Sequence, residues 1–221
     1  MKTAGKVILA ITAMFALFLV IARSANAMTG PNINLPPGQV TAMVDYPSDK
    51  CYYYVQVSNV PDGYHISNGR FLGWCVDEDH YIYNRKTYSA RLYSSYDSNN
   101  PHPDPDWPKV NYILNNKQGS WEDVQAAIWY FVNGGRWPSD PDAQAMINAA
   151  KENGENFVPT PGQILAVIVW INENTQIPII EVVVPLQNAV PEYPLGPIFG
   201  VASFFAALGV YKRKLRRIDL F

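Results

Sequence analysis

Hydrophobic positions along the chain repeat first with period two, then with period 3.6, then with no gaps at all. Val40 to Asp45 alternates loosely, and Cys51 to Val60 (CYYYVQVSNV) is rich in aromatic and β-branched residues, so both predict strands. Pro61-Asp62-Gly63 predicts a turn. Tyr64 to Ser67 and Phe71 to Val76 predict further strands, Asp77-Glu78-Asp79 breaks the pattern, and Tyr81 to Tyr83 resumes it. Residues 84–108 are polar and predict a loop. The period then lengthens. Lys109 to Asn115 places Val110, Ile113 and Leu114 on one face, which predicts a short helix. Ser120 to Gly135 (SWEDVQAAIWYFVNGG) has a capping serine, Asp123 three residues on, a stripe of Val124, Ala127, Ile128 and Phe131, and a Gly134-Gly135 stop. A third helix opens at Pro141 behind Ser139 or Asp140 and ends at Asn153-Gly154. The β-branched runs Gln163 to Asn172 and Ile177 to Val184 predict two closing strands. The fold class is therefore α+β: a β-rich sandwich or barrel-like domain with a helical insertion at about 109–152. The sequence shows no internal repeat and no heptads.

The two ends differ from this middle. Lys2 and Lys6 precede an apolar run, Val7 to Ile21, and Ala25-Asn26-Ala27 is a small-x-small cleavage pattern. This predicts a signal peptide over 1–27 and a mature chain starting near Met28. A domain over 28–185 leads to a linker over 186–194, then a seventeen-residue apolar run, Leu195 to Tyr211, then a basic tail over 212–221. The run is just long enough for a bilayer span, and the basic cluster fits a cytoplasmic stop. Val190-Pro191-Glu192-Tyr193-Pro194 ahead of it resembles the Pro-Glu-aromatic sorting signals of archaea and some bacteria. The expected location is the cell surface, with the domain exported and held at the membrane by its C-terminus.

The net charge of −2 conceals an asymmetry. With the basic residues of both ends set aside, nine basic residues face eighteen acidic ones in 28–211, a net of −9. A surface this acidic excludes nucleic acid as a partner. The acids of the 84–108 loop lack the glycine and closing glutamate of an EF-hand. Cys75, Asp77, Asp79 and His80 match no standard zinc spacing. No metal and no cofactor are expected.

The chain has two cysteines, Cys51 and Cys75, and in an exported domain one disulfide is the default. Two short motifs point elsewhere. Trp74-Cys75-Val76-Asp77 is aromatic-Cys-apolar-acid, and Val124-Gln125-Ala126-Ala127-Ile128-Trp129 is apolar-Gln-x-Ala-apolar-Trp. Together, in this order, they resemble the thioester domains at the tips of bacterial surface adhesins. The resemblance spans roughly residues 38–185 and includes the helix at Val110 to Asn116. It implies that the Cys75 sulfur and the Gln125 carboxamide form an internal thioester. Such a bond captures a target bearing an exposed amine or hydroxyl, on a surface protein or a glycan. Trp74, Asp77, Ala127 and Trp129, with nearby tyrosines, are then expected to form the surrounding pocket. Capture occurs once per molecule, so the protein is not expected to be an enzyme. Two features depart from the family: only fifty positions separate Cys75 from Gln125, and the Gram-positive cell-wall motif is absent.

Two other functions fit the same residues. A secreted cysteine hydrolase or transglutaminase-like enzyme would use Cys75 with a histidine base, and the chain offers only His65, His80 and His102. A non-reactive surface module would hold a Cys51–Cys75 disulfide. Gln125 itself has an ordinary reading as well, a carboxamide at the edge of a buried face bonded to backbone.

Overall fold

The structure is a computed structural model, and it describes residues 30–186 apart from residue 105. The predicted signal peptide, sorting motif, apolar run and basic tail lie outside the described residues. Among the described residues, no helix is long and apolar enough to cross a membrane.

Six strands close into a barrel: β1 (Val40–Asp45), β2 (Tyr53–Ser58), β3 (Gly69–Cys75), β4 (Thr87–Ser94), β5 (Ile164–Trp170) and β6 (Pro178–Val183), in the order β1-β2-β3-β6-β5-β4. Every neighbouring pair is antiparallel. The α+β class is thus confirmed, and of the two architectures the barrel is the one formed. Three helices sit between β4 and β5 in the chain: α1 (Trp107–Asn115), α2 (Trp121–Val132) and α3 (Pro141–Asn153).

Two cores explain the hydrophobic pattern. One fills the barrel, with Val40, Ala42 and Val44 of β1 facing Val55 and Val57 of β2 and Leu165, Val167 and Val169 of β5. The other lies between the barrel wall and the helices, where Val110, Ile113, Val124, Ile128 and Ile147 meet Ala166, Ile168 and Ile179. β5 belongs to both, so its ILAVIVW run is apolar on both faces and shows no alternation. The first two strands of the chain, β1 and β2, are buried on one face only and alternate cleanly.

Side-chain amides fasten the helical layer to the barrel. Asn111, fully buried on α1, donates to Ser95 Oγ and to the Trp107 carbonyl and accepts from Ala166 N–H. Asn115 brackets Ile164, donating to its carbonyl at 2.7 Å and accepting from its N–H at 2.8 Å. Each satisfies a backbone group of β5. α2 begins with a full capping box: Ser120 accepts from Asp123 N–H, and the Asp123 carboxylate accepts from Ser120 N–H.

Several predicted elements need correction. The polar stretch 84–108 contains β4, whose Ala90 and Leu92 point into the barrel while Ser89 and Arg91 point out. Tyr64–Ser67 and Tyr81–Tyr83 form no strands. β2 starts at Tyr53, two residues after Cys51. The helical segment runs from Trp107 to Asn153, slightly wider than predicted.

Candidate functional site

β3 delivers Cys75 as its last residue, with its sulfur on the inward face. Alternate residues of β3 turn their backbone groups to opposite neighbours. Val76 N–H donates to Ile177 on the β6 side, so the Cys75 N–H and C=O face the β2 side. The β2–β3 register ends at Tyr53↔Gly73, and two residues further would place Cys51 opposite Cys75. β2 does not extend that far, which leaves the Cys75 backbone without a strand partner there.

Gln125 takes that place. Its Oε1 accepts from Cys75 N–H at 2.9 Å and its Nε2 donates to the Cys75 carbonyl at 2.7 Å. The carboxamide therefore pairs with β3 as a peptide group of an extended β2 would. The pairing fixes the amide orientation, because only the oxygen can accept and only the NH2 can donate. Both residues are buried, Gln125 at 1% exposure and Cys75 at 0%. Helix α2 makes this reach possible: Val124, Ala127 and Ile128 are buried against the barrel wall and carry Gln125 with them.

The sulfur environment is dry. The Cys75 thiol donates to the Asp77 carbonyl at 3.1 Å. Burial pushes the thiol up to about 12, against partial relief from hydrogen bonding to the Asp77 backbone and to the Trp129 side chain. The Trp129 indole N–H is buried and makes no regular hydrogen bond, yet it lies close enough to the sulfur to favour the thiolate. The Trp129 ring meets Tyr52 edge-on at 5.5 Å, and Tyr52 meets Tyr53 at 5.1 Å. Both tyrosine hydroxyls are pushed up, chiefly by burial and then by the Cys75 charge, and both side chains pack in the barrel core that holds Cys75. A hollow of about 410 Å³ opens against these tyrosines and is also lined by Tyr46, Tyr81, Trp121 and Gln176. No charged side chain lines it.

Of the residues expected at the site, the structure brings Cys75, Gln125, Asp77 and Trp129 together. Asp77 is 7% exposed; its carboxylate accepts from Asp79 N–H and binds His80 Nδ1 at 2.8 Å. Trp74 is not a wall of the sulfur pocket. Strand alternation turns it to the outer face, where its indole N–H donates to Glu181 at 2.7 Å and Lys117 lies over its ring. Ala127 is a packing residue between α2 and the barrel. Tyr52 and Tyr53 belong to the site, and sequence reading pointed to them only as tyrosines in general; the strong aromatic run before Val55 was their one signal.

The structure also sorts the alternatives. Both cysteines are free, so the disulfide is corrected. Cys51 lies in the helix-side core, bonded to Ser48 and to the Tyr53 carbonyl, while Cys75 lies in the barrel core. No histidine bonds the Cys75 sulfur; its hydrogen-bond acceptor is a main-chain carbonyl. Of Cys75, Asp77, Asp79 and His80, Asp77 and His80 are in contact, and the four do not converge as one ligand set. Among the described residues the acids that converge are Asp123, Asp140 and Asp142, and Asp123 there serves the α2 cap.

Fold and site together define a closed six-stranded barrel with a helical layer that aims a buried glutamine at a buried cysteine. No protein-family model matches the chain, and no curated protein matches it. Among solved structures, the chain resembles the N-terminal thioester domain of a surface protein from Clostridium perfringens. That likeness has 15% identity, covers 64% of this chain and 97% of that one, and has a TM-score of 0.41. A cysteine-to-alanine mutant of the same domain is similar at 10% identity, over 66% of this chain and 99% of that one, with a TM-score of 0.45.

Proposed function

We propose that Cys75 and Gln125 form an internal thioester, and that the protein is a surface-exposed module that uses it to capture a target covalently. The observation that carries this reading is the two-point contact between the buried Gln125 carboxamide and the backbone of Cys75. A carboxamide is a poor electrophile, and the contact addresses that weakness directly. The Cys75 N–H, 2.9 Å from Oε1, stands where the negative charge grows when sulfur attacks. The chain also holds the two groups together without a bimolecular encounter. The thiol is protonated at neutral pH, so its proton leaves as the C–S bond forms. The bond from the side-chain carbon to Nε2 breaks, the proton goes to nitrogen, and ammonia departs.

The product is an acyl group sealed among Tyr52, Tyr53 and Trp129. A target amine or hydroxyl then attacks the Gln125 acyl carbon. A new amide or ester forms, the C–S bond breaks, and its electron pair returns to sulfur. The glutamine stays joined to the target, so each molecule acts once and the protein is a covalent binder, not a turnover enzyme. The target lies outside the cell, with the domain tethered there through the C-terminal segment.

Labelling with a small primary amine tests this function. Methylamine incubated with the purified protein is expected to add to Gln125, and one thiol per molecule, on Cys75, is expected to appear with it. Cys75 that reacts fully with an alkylating reagent before any amine is added, with no methylamine on Gln125 afterwards, would refute the proposal.

A further inference from the structure

We propose that His80, held by Asp77, accepts the proton of the target's nucleophile as it attacks the Gln125 acyl carbon. This rests on the thioester reading above and assigns a base to its capture step.

The groups form a path from the buried sulfur to solvent. Cys75 is fully buried, and its thiol is bonded to the Asp77 carbonyl. The Asp77 side chain is 9% exposed and binds His80 Nδ1, whose own side chain is 41% exposed. A target arrives from solvent, and His80 is the exposed end of this chain of contacts. A carboxylate only accepts, so the Asp77 contact places the proton on Nδ1 and leaves Nε2 with its lone pair. That tautomer is the one a base requires. The loop around the pair is fixed at three points. Asp79 N–H bonds the other Asp77 oxygen, Glu78 N–H bonds Asn133 at the end of α2, and the His80 carbonyl accepts from Gln176 on the β5–β6 connection. Gln176 also lines the hollow beside Tyr52 and Tyr53, so the loop borders the same opening.

The step balances as follows. The nucleophile's oxygen or nitrogen bonds to the acyl carbon and loses its proton to His80 Nε2. The C–S bond breaks and its electrons go to the Cys75 sulfur. The imidazolium then returns the proton, directly or through water, to give the thiol. Asp77 is a positioning residue here. The charges facing the imidazole are those of Asp77, with Glu78 and Asp79 on the same loop. Gln176 opposite is neutral, and His102 on the β4–α1 loop lies within electrostatic reach of Asp77.

The test uses glycerol, whose hydroxyls do not titrate between about pH 5.5 and 8.5, as the probe nucleophile. Thioester content is fixed first, from the mass of each protein relative to its Gln125→Ala counterpart. Wild type is expected to react faster as pH rises through the imidazole step, and His80→Gln is expected to lose that step and react at least about tenfold more slowly. Asp77→Asn is expected to slow the reaction as well, because the imidazole loses the carboxylate that holds its ring and fixes its tautomer. Should His80→Gln fail to form the thioester, the Asp77→Asn rate decides alone. Identical rates and pH profiles in wild type and the thioester-bearing variants would overturn the role of His80. A wild-type protein with no missing ammonia overturns the thioester reading instead.

Discussion

Both polar atoms of the Gln125 carboxamide meet the backbone of a single residue, and that residue carries a thiol raised to about 12. The raised value makes a statement about stability. An unfolded Cys75 ionises at 9.0 and the folded one at about 12, so the folded chain keeps a proton that the unfolded chain releases between them. Stability from this group is full below pH 9 and is lost as pH rises toward 12, by at most about 4 kcal/mol. A Gln125→Ala protein retains the thiol and is expected to show this alkaline loss. A Cys75→Ala protein and a thioester-bearing wild type are not. Tyr53 and Tyr96 are also raised, chiefly by burial, which every variant shares. Denaturant melts across pH 8–11 check the difference. At this scale the sequence pointed to the two residues that meet, Cys75 and Gln125, because their motifs are local. It did not reveal that Trp74 faces away, since the motif gives neighbours in sequence and strand alternation turns neighbours to opposite faces. Nor did it disclose the Trp129 N–H near the sulfur, which depends on a fold contact between α2 and the end of β3.

Elements are held by a few exact fits, and these lie near the site. A Cβ at Gly73 would stand 2.8 Å from the Tyr53 carbonyl and 2.7 Å from Val55, at the last β2–β3 pair before Cys75. Asn111→Ala strips a partner from Ala166 N–H in the core and is expected to cost about 2–4 kcal/mol. Gly73→Ala is expected to destabilise by at least about 1 kcal/mol through overpacking. Urea midpoints at constant slope measure both; an unchanged midpoint in Asn111→Ala would contradict the docking role of that side chain. The helices were legible from local signals: the Val110, Ile113 and Leu114 face for α1, Ser120 and Asp123 for α2, and Asp140, Pro141, Asn153 and Gly154 for α3. β5 and β6 were legible as β-branched runs. β4 was not, although Tyr88, Ala90 and Leu92 alternate with serine and arginine, because TYSARLYS lacks β-branched residues after Thr87. The docking asparagines were silent for another reason: an amide bonded to a strand leaves no periodic trace.

At the scale of the molecule, the barrel and its helical layer act as one device for presenting a carboxamide to a strand end. β2 stops short, the Cys75 backbone is left open on that side, and α2 fills the gap with Gln125. The helices cover β5 and seal the outer core, while Tyr52, Tyr53 and Trp129 pack against one another in the core that holds Cys75. The sequence predicted a β-rich domain with a helical insertion but left sandwich and barrel open. Closure depends on β1 pairing with β4 and β3 with β6, and both pairings link segments far apart in the chain. The chemistry predicted for the assembled molecule leaves one direct mark, the loss of ammonia. The intact mass of the purified wild-type protein is expected to fall one ammonia below that calculated from its sequence, with Cys75→Ala and Gln125→Ala each at their full calculated mass. A wild-type protein at its full calculated mass would contradict the account.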